Sequence, residues 1–171
     1  MTQGSGDTDI RLLDDADRAW LAELIAGTWG LPVVSTSGAH DPTTLPGFVA
    51  EAAARRIGVA TYRLGEGGCE VVTLNSLEEG KGVGTALLAA VRGVADREGR
   101  RLWLITTEEN LRAIAFYEKR GMAITAIHRN FADQVRRYKP ELADGDGSVP
   151  FRHAIEFSYP DPRAAAPSSR G

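Results

Sequence analysis

The chain has 171 residues, 43% of them hydrophobic and 25% charged, with a formal net charge of −3. That is enough apolar material for one packed core and too little net charge for a disordered chain. The acidic excess excludes general nucleic-acid binding, which needs surplus Lys and Arg, and the single cysteine, Cys69, excludes a disulfide framework or a cysteine-built zinc site.

The three histidines, His40, His128 and His153, have no metal-ligand spacing, so no metal is expected. No apolar run approaches the roughly 20 residues a membrane helix needs, and the first residues lack an apolar signal core. The expected setting is cytoplasmic, without a membrane partner. Residues 1–8 read as a flexible N-terminus, 9–160 as a single domain and 161–171 as a flexible tail.

Ile10–Leu13 reads as a short strand, and Asp14 or Asp15 can cap the next helix, on which Trp20, Leu21, Leu24 and Ile25 form an apolar stripe. Gly30 and Pro32 stop it, and residues 35–46 read as a surface loop. Gly47–Glu51 and Ile57–Leu64 read as strands joined through residues 52–56, and a turn at 65–68 leads into the Val- and Thr-rich strand Cys69–Leu77. A helix then starts at Val83. Its apolar residues Val83, Leu87, Leu88, Val91 and Val94 share one face, and Gly99 ends it. Arg101–Thr107 returns to strand, which makes the segment a right-handed parallel crossover. A further helix spans about 109–120, with Thr107 or Glu108 near its cap and Gly121 as its stop. Met122–His128 is a strand, Phe131–Tyr138 an amphipathic helix ended by Pro140, 142–150 a loop and His153–Tyr159 a closing strand. The class is mixed α/β.

In Gly80-Lys81-Gly82-Val83-Gly84-Thr85 a strand delivers a glycine loop to a helix N-terminus, where unpaired backbone N–H groups favour an anion such as a phosphate. A Walker loop would need Ser or Thr after the lysine, where Gly82 stands, and a dinucleotide G-x-G-x-x-G lacks its third glycine in register. The loop instead resembles the Q/R-x-x-G-x-G/A pattern of the GNAT superfamily of acyl-CoA-dependent N-acetyltransferases. Gly82 and Gly84 match it; Glu79 stands where that family has Gln or Arg, and Lys81 can compensate. The carboxylates of Glu78 and Glu79 would repel a diphosphate and are expected to turn outward when one binds.

A second stretch, Asn110-Leu111-Arg112-Ala113-Ile114-Ala115-Phe116-Tyr117-Glu118-Lys119-Arg120-Gly121-Met122, resembles the same superfamily's N-x-x-A-x-x-F-Y-x-x-x-G-F signature, departing only at Met122. Asn110, Ala113 and Tyr117 are spaced to share a helix face. The resemblance covers residues 10–128 and the closing strand. It implies a mostly antiparallel sheet with a central splayed parallel strand pair, helices on both faces and acetyl-CoA as co-substrate. It further implies that Gly80, Lys81, Gly82, Val83, Gly84 and Thr85 hold the pyrophosphate, that Asn110 and Ala113 meet the pantetheine arm, that Leu74 offers a backbone N–H to the thioester oxygen, and that Tyr117 protonates the leaving thiolate. A tyrosine that merely packs is the alternative at Tyr117.

Attack by an amine needs a proton acceptor. Glu70 is the first candidate, similar to the strand glutamate of histone-acetylating relatives. With regular alternation, Glu70, Val72 and Leu74 face one way and Thr73 and Asn75 the other, so a pocket lined by Asn75 excludes Glu70 unless a bulge intervenes. His128 is the reserve, and water alone is a further option. The basic run from His128 to Lys139 reads as a solvated amphipathic helix rather than a nucleic-acid patch. Trp20, Trp29 and Trp103 read as core or rim residues, and Trp29 could border the acceptor pocket. Cys69 has no activating neighbour in sequence, so direct attack in a ternary complex is expected rather than an acyl-enzyme. The expected acceptor is the primary amine of a small molecule. A non-catalytic acyl-CoA sensor and a transferase acting on a protein or aminoacyl-tRNA are the alternatives, and oligomeric state, including a homodimer, stays open.

Overall fold

The computed structural model describes residues 7–142 and 149–160. Residues 1–6, 143–148 and 161–171, which carry the expected flexible tail and most of the expected N-terminal segment and 142–150 loop, lie outside the described residues. The chain divides into two compact units, one up to Arg100 and one from Arg101 onward.

In the first unit, β1 (Asp9–Leu12) leads through a 3-10 turn at Asp15–Asp17 into α1 (Arg18–Thr28). There follow β2 (Val33–Ser35), β3 (Gly38–His40), a 3-10 turn at Pro42–Thr44, β4 (Gly47–Ala52), β5 (Arg55–Gly65), β6 (Gly68–Ser76) and α2 (Val83–Arg97). Four of these strands form a sheet segment in the order β1-β4-β5-β6, antiparallel throughout. Leu21 and Ile25 of α1 are fully buried with Val49 and Val59, and Trp20 and Leu24 lean on that cluster, so the expected stripe is the packed one. The first aspartate cap serves the 3-10 turn and not α1: Asp14 accepts from the Ala16 N–H, and Asp17 returns a bond to the Asp14 N–H.

Successive residues of a strand face opposite sides, and β5 uses both. Val59 packs under α1, while its neighbour Gly58 lies against α2. A Cβ at Gly58 would stand 2.7 Å from Val83 Cγ1, 2.8 Å from the Asn75 carbonyl oxygen and 3.0 Å from Leu87 Cδ1. This close approach fixes the first turn of α2, and with it the end of the glycine loop. Gly58→Ala is therefore expected to lower stability by about 1–3 kcal/mol through overpacking. Urea unfolding measures it, and an unchanged midpoint would mean that the helix yields freely.

Residues 35–46, expected to be a loop, contain more structure than that. β2 and β3 pair as a short hairpin with Val33 opposite His40 and Ser35 opposite Gly38, and Asp41 caps the following 3-10 turn through the Thr43 N–H. Three-residue strands are too short for a period-2 pattern to register in sequence. Gly38, at φ 130°, supplies backbone freedom at the turn.

The second unit holds β7 (Leu102–Thr107), α3 (Leu111–Lys119), β8 (Ala123–His128), α4 (Phe131–Tyr138), a 3-10 turn at Pro140–Leu142 and β9 (Ala154–Ser158). β9 lies between β7 and β8, antiparallel to both, and carries the fully buried Phe157 opposite Leu104 and Ile124. α4 buries Phe131, Ala132 and Val135 on one face, and Arg136 pairs with Asp133, as a solvated amphipathic helix should. Among the described residues no helix is long and apolar enough to cross a membrane.

Candidate active site

The glycine loop meets α2 as the sequence spacing predicts. Gly80 and Gly82 both have left-handed φ, 74° and 73°, and a Cβ on either would meet nothing within 4 Å, so the loop has open space over it. Gly82 is the N-cap; no side chain caps this helix, and its first turn carries no acidic residue. Val83 and Gly84 are buried in that turn while Lys81, Gly82 and Thr85 are exposed. An anion can thus approach a bare, positive helix end. Glu78 does not oppose it freely: its carboxylate accepts from Lys81 Nζ at 2.8 Å and from Arg55 Nη2 at 3.0 Å. These cations, Lys81 foremost, hold Glu78 below the usual carboxylate range. The loop therefore fits a phosphate-bearing substrate, with Lys81 able to exchange Glu78 for the incoming charge.

β6 differs from regular alternation at one place that decides the site. Its register with β5 runs Thr73 opposite Thr61 and then Val71 opposite Tyr62, so Val72 is an extra, bulged residue. The bulge turns Glu70, opposite Arg63, onto the same face as Thr73, opposite Thr61, and Asn75, opposite Val59. The bulge is the condition under which Asn75 does not exclude Glu70: both occupy one face, and the side chain of Leu74, opposite Ala60, takes the other. Leu74 itself is half-buried two residues past the bulge.

The shared face carries a polar row. Thr61 Oγ1 and Thr73 Oγ1 are 2.7 Å apart and buried. Asn75 Oδ1 is buried with no hydrogen-bond partner among the described residues. Glu70, only 1% exposed, accepts from Ser35 Oγ on one carboxylate oxygen and on the other from Ser37 Oγ at 2.6 Å and Arg63 Nη1 at 3.4 Å. Ser37 Oγ also lies 2.8 Å from His40 Nε2. Sequence reasoning missed Ser35, Ser37, His40 and Arg63, because three of them belong to the segment read as a loop. The only signal was the density of hydroxyls just before a histidine.

In the second unit, α3 starts two residues later than expected. Its cap is Asn110, not Thr107 or Glu108: Asn110 Oδ1 accepts from the Ala113 N–H at 3.2 Å. The carboxamide nitrogen is not used in that cap. Ala113 is half-buried, and Tyr117 is buried between Phe116, edge-on at 5.3 Å, and Phe157 at 5.6 Å. Among the described residues none hydrogen-bonds the Tyr117 hydroxyl. Burial pushes its phenol up to about 12, so it is protonated at any working pH. Gly121, at φ 85°, ends the helix as the signature suggests.

Among the remaining candidates, His128 and Trp20 have structural partners. His128 Nε2 lies 2.9 Å from Glu156 Oε2, and Glu156 also accepts from Arg101 and Thr125. Trp20 carries the Arg56 guanidinium 5.5 Å above its ring, Trp103 is buried and Trp29 is mostly exposed. Cys69 is buried, and desolvation raises its thiol to about 11, which leaves it a poor nucleophile.

Comparison with known proteins gives the family and the fold. The model of the acetyltransferase (GNAT) family matches residues 13–122. The uncharacterized protein YdhI of Bacillus subtilis (strain 168) is 38% identical over 142 residues, 81% of this chain and 89% of that protein. Among solved structures, the ribosomal-protein-S18-alanine N-acetyltransferase of Escherichia coli aligns with a TM-score of 0.62 at 17% identity, over 90% of this chain and 94% of its own. The structure of yncA from Salmonella typhimurium with its cofactor acetyl-CoA gives 0.65 at 18% identity, over 95% and 98%. The chain belongs to the GNAT acetyltransferase family. Its fold is the mixed α/β fold read from the sequence, with a mostly antiparallel sheet and one parallel pair.

Proposed function

We propose that this protein transfers an acetyl group from acetyl-CoA to the primary amine of a small molecule, by direct attack of the amine on the thioester. The observation that carries the reading is the buried phenol of Tyr117. Binding acyl-CoA as a sensor would not require a hydroxyl there, whereas a leaving thiolate requires an acid that is still protonated. The roles follow the residues. Gly80, Lys81, Gly82, Val83, Gly84 and Thr85 hold the pyrophosphate, and Asn110 and Ala113 receive the pantetheine arm. The backbone N–H of Leu74 takes the developing oxyanion, and Tyr117 protonates sulfur. Proton acceptance belongs to Glu70 or to the Ser37 and His40 chain that leads from it. A cytoplasmic setting and a single catalytic domain complete the proposal.

The acidic balance, −3 overall, favours a small amine over an extended polyanionic partner such as aminoacyl-tRNA. A protein N-terminus is the second reading, supported by the likeness to the E. coli enzyme that acts on ribosomal protein S18. Release of free CoA from acetyl-CoA across primary alkylamines, amino acids, aminoglycosides and short peptides tests both. Turnover with small amines supports the first reading, and turnover with peptides alone supports the second. Calorimetric binding of acetyl-CoA without any release turns the assignment to a sensor.

A further inference from the structure

The hydrogen bonds around Glu70 fix more than its position. As a carboxylate, Glu70 can only accept, and it receives Ser35, Ser37 and Arg63. Ser37 has a single hydroxyl hydrogen, and its 2.6 Å contact with Glu70 uses it. The 2.8 Å contact between Ser37 Oγ and His40 Nε2 must then be donated by the imidazole. Nε2 therefore carries the ring hydrogen, and in the neutral ring Nδ1 is a lone pair. Ser37 is exposed and His40 half-buried, while Glu70 is sealed beneath them. The buried carboxylate reaches the surface through the Ser37 hydroxyl and the His40 imidazole on one side and through Arg63 on the other.

We propose that His40 takes the proton from the acceptor ammonium at Nδ1, and that Ser37 and Glu70 position it and balance the charge it gains. The proposal rests on the transferase reading above. The substrate ammonium gives one proton to Nδ1, and the freed amine attacks the thioester carbonyl carbon. The C–N bond forms, the C–S bond breaks, and sulfur leaves as the thiolate and is protonated by the acid. The second proton lost from nitrogen as the amide forms replaces the one the acid gave up, and His40 returns its own to solvent. One proton is released per turnover.

The surroundings suit a base near neutral pH. Burial holds His40 below its ordinary value of 6.5, the Arg63 charge adds to this, and the Glu70 charge opposes it. The adjacent carboxylate, Asp41, is turned to the Thr43 N–H and hydroxyl at 2.9 and 2.6 Å, and the β2 residues facing His40 carry no charge. Glu70 sits at the inner end of the chain, and an imidazolium at the outer end can use its carboxylate through Ser37 without the carboxylate itself being reached.

The test joins kinetics with a spectroscopic measurement on the unaltered protein. Nitrogen-15 NMR of the imidazoles at pH 7.5 should show His40 neutral with its hydrogen on Nε2, and Ser37→Ala should mix the tautomers. With the amine that gives most CoA release, kcat/KM should fall on the acid side through the His40 titration. His40→Gln should lose about 100-fold at pH 7.5 and recover toward high pH, where the amine deprotonates unaided. Glu70→Gln removes the charge that favours imidazolium, so the acid limb should move to lower pH, a displacement that a purely structural role would not give. Wild-type turnover with an unchanged His40→Gln profile, or a His40 protonated on Nδ1, overturns the proposal alone. No CoA release by the wild type from any amine in the panel overturns the transferase reading, and the proposal with it.

Discussion

Tyr117→Phe is expected to lower kcat for acetyl transfer by about 100- to 1,000-fold while changing the acetyl-CoA dissociation constant by less than about twofold. The substitution keeps the ring and its contacts with Phe116 and Phe157, so thermal stability should hold. Only the hydroxyl goes, and no described residue depends on it. The phenol near 12 looks at first too weak an acid for a thiolate. Desolvation acts on sulfur in the same direction: the buried thiol of Cys69 in this protein is itself raised to about 11. A thiolate formed beside the buried phenol would be raised in the same direction by desolvation, so the raised phenol alone does not disqualify Tyr117 as the acid. Single-turnover kinetics with calorimetry of acetyl-CoA binding decide the matter. Parallel loss of rate and affinity would mean that Tyr117 packs the cofactor and donates nothing.

The parts legible in the sequence were those written over a long window or an unbroken motif. α2 announced itself through Val83, Leu87, Leu88, Val91 and Val94, then Gly99, and α3 through the run from Asn110 to Gly121. What stayed hidden depends on residues far apart. Glu70 stood out as a carboxylate, yet its partners Ser35 and Ser37 lie 35 and 33 residues away, at the end of a three-residue strand and in the turn that follows it. The bulge at Val72 is equally silent, since Val71, Val72 and Thr73 suit a strand in either register. One extra residue nonetheless moves Glu70 to the face of Thr73 and Asn75, and that face is where the polar row forms. The cap of α3 was misplaced by two or three residues because Thr107, Glu108 and Asn110 all suit a helix start, and only geometry selects the one whose oxygen reaches the Ala113 N–H.

The largest stability effect is expected at Asp17, which anchors the α1 side of the first unit. Its carboxylate is fully buried and accepts from Arg11 Nη1 at 2.8 Å and Nη2 at 2.9 Å, from Arg56 Nε at 2.8 Å and from the Asp14 N–H at 2.9 Å. Arg11 also reaches Glu51 on β4, and Arg56 lies over Trp20, so one carboxylate ties β1, β4 and β5 to the start of α1. The Arg11 hydrogen bond foremost, then the Asp14 N–H and Arg56, hold Asp17 well below the carboxylate range against the opposing effect of burial. Because the folded state disfavours its protonation, the stability it contributes is present above the unfolded value of about 3.9 and is lost as pH falls through the lower folded one. Asp17→Asn should therefore cost roughly 2–4 kcal/mol near neutral pH, for bonds to charged groups broken in a buried setting, and lower Tm by about 5–15 °C. The gap between variant and wild type should narrow steadily below about pH 4, as the wild type loses the same charge. Urea titrations at pH 7.5 and pH 3 read both arms, and a gap that is equally wide at the two pH values would show that Asp17 acts by shape and not by charge.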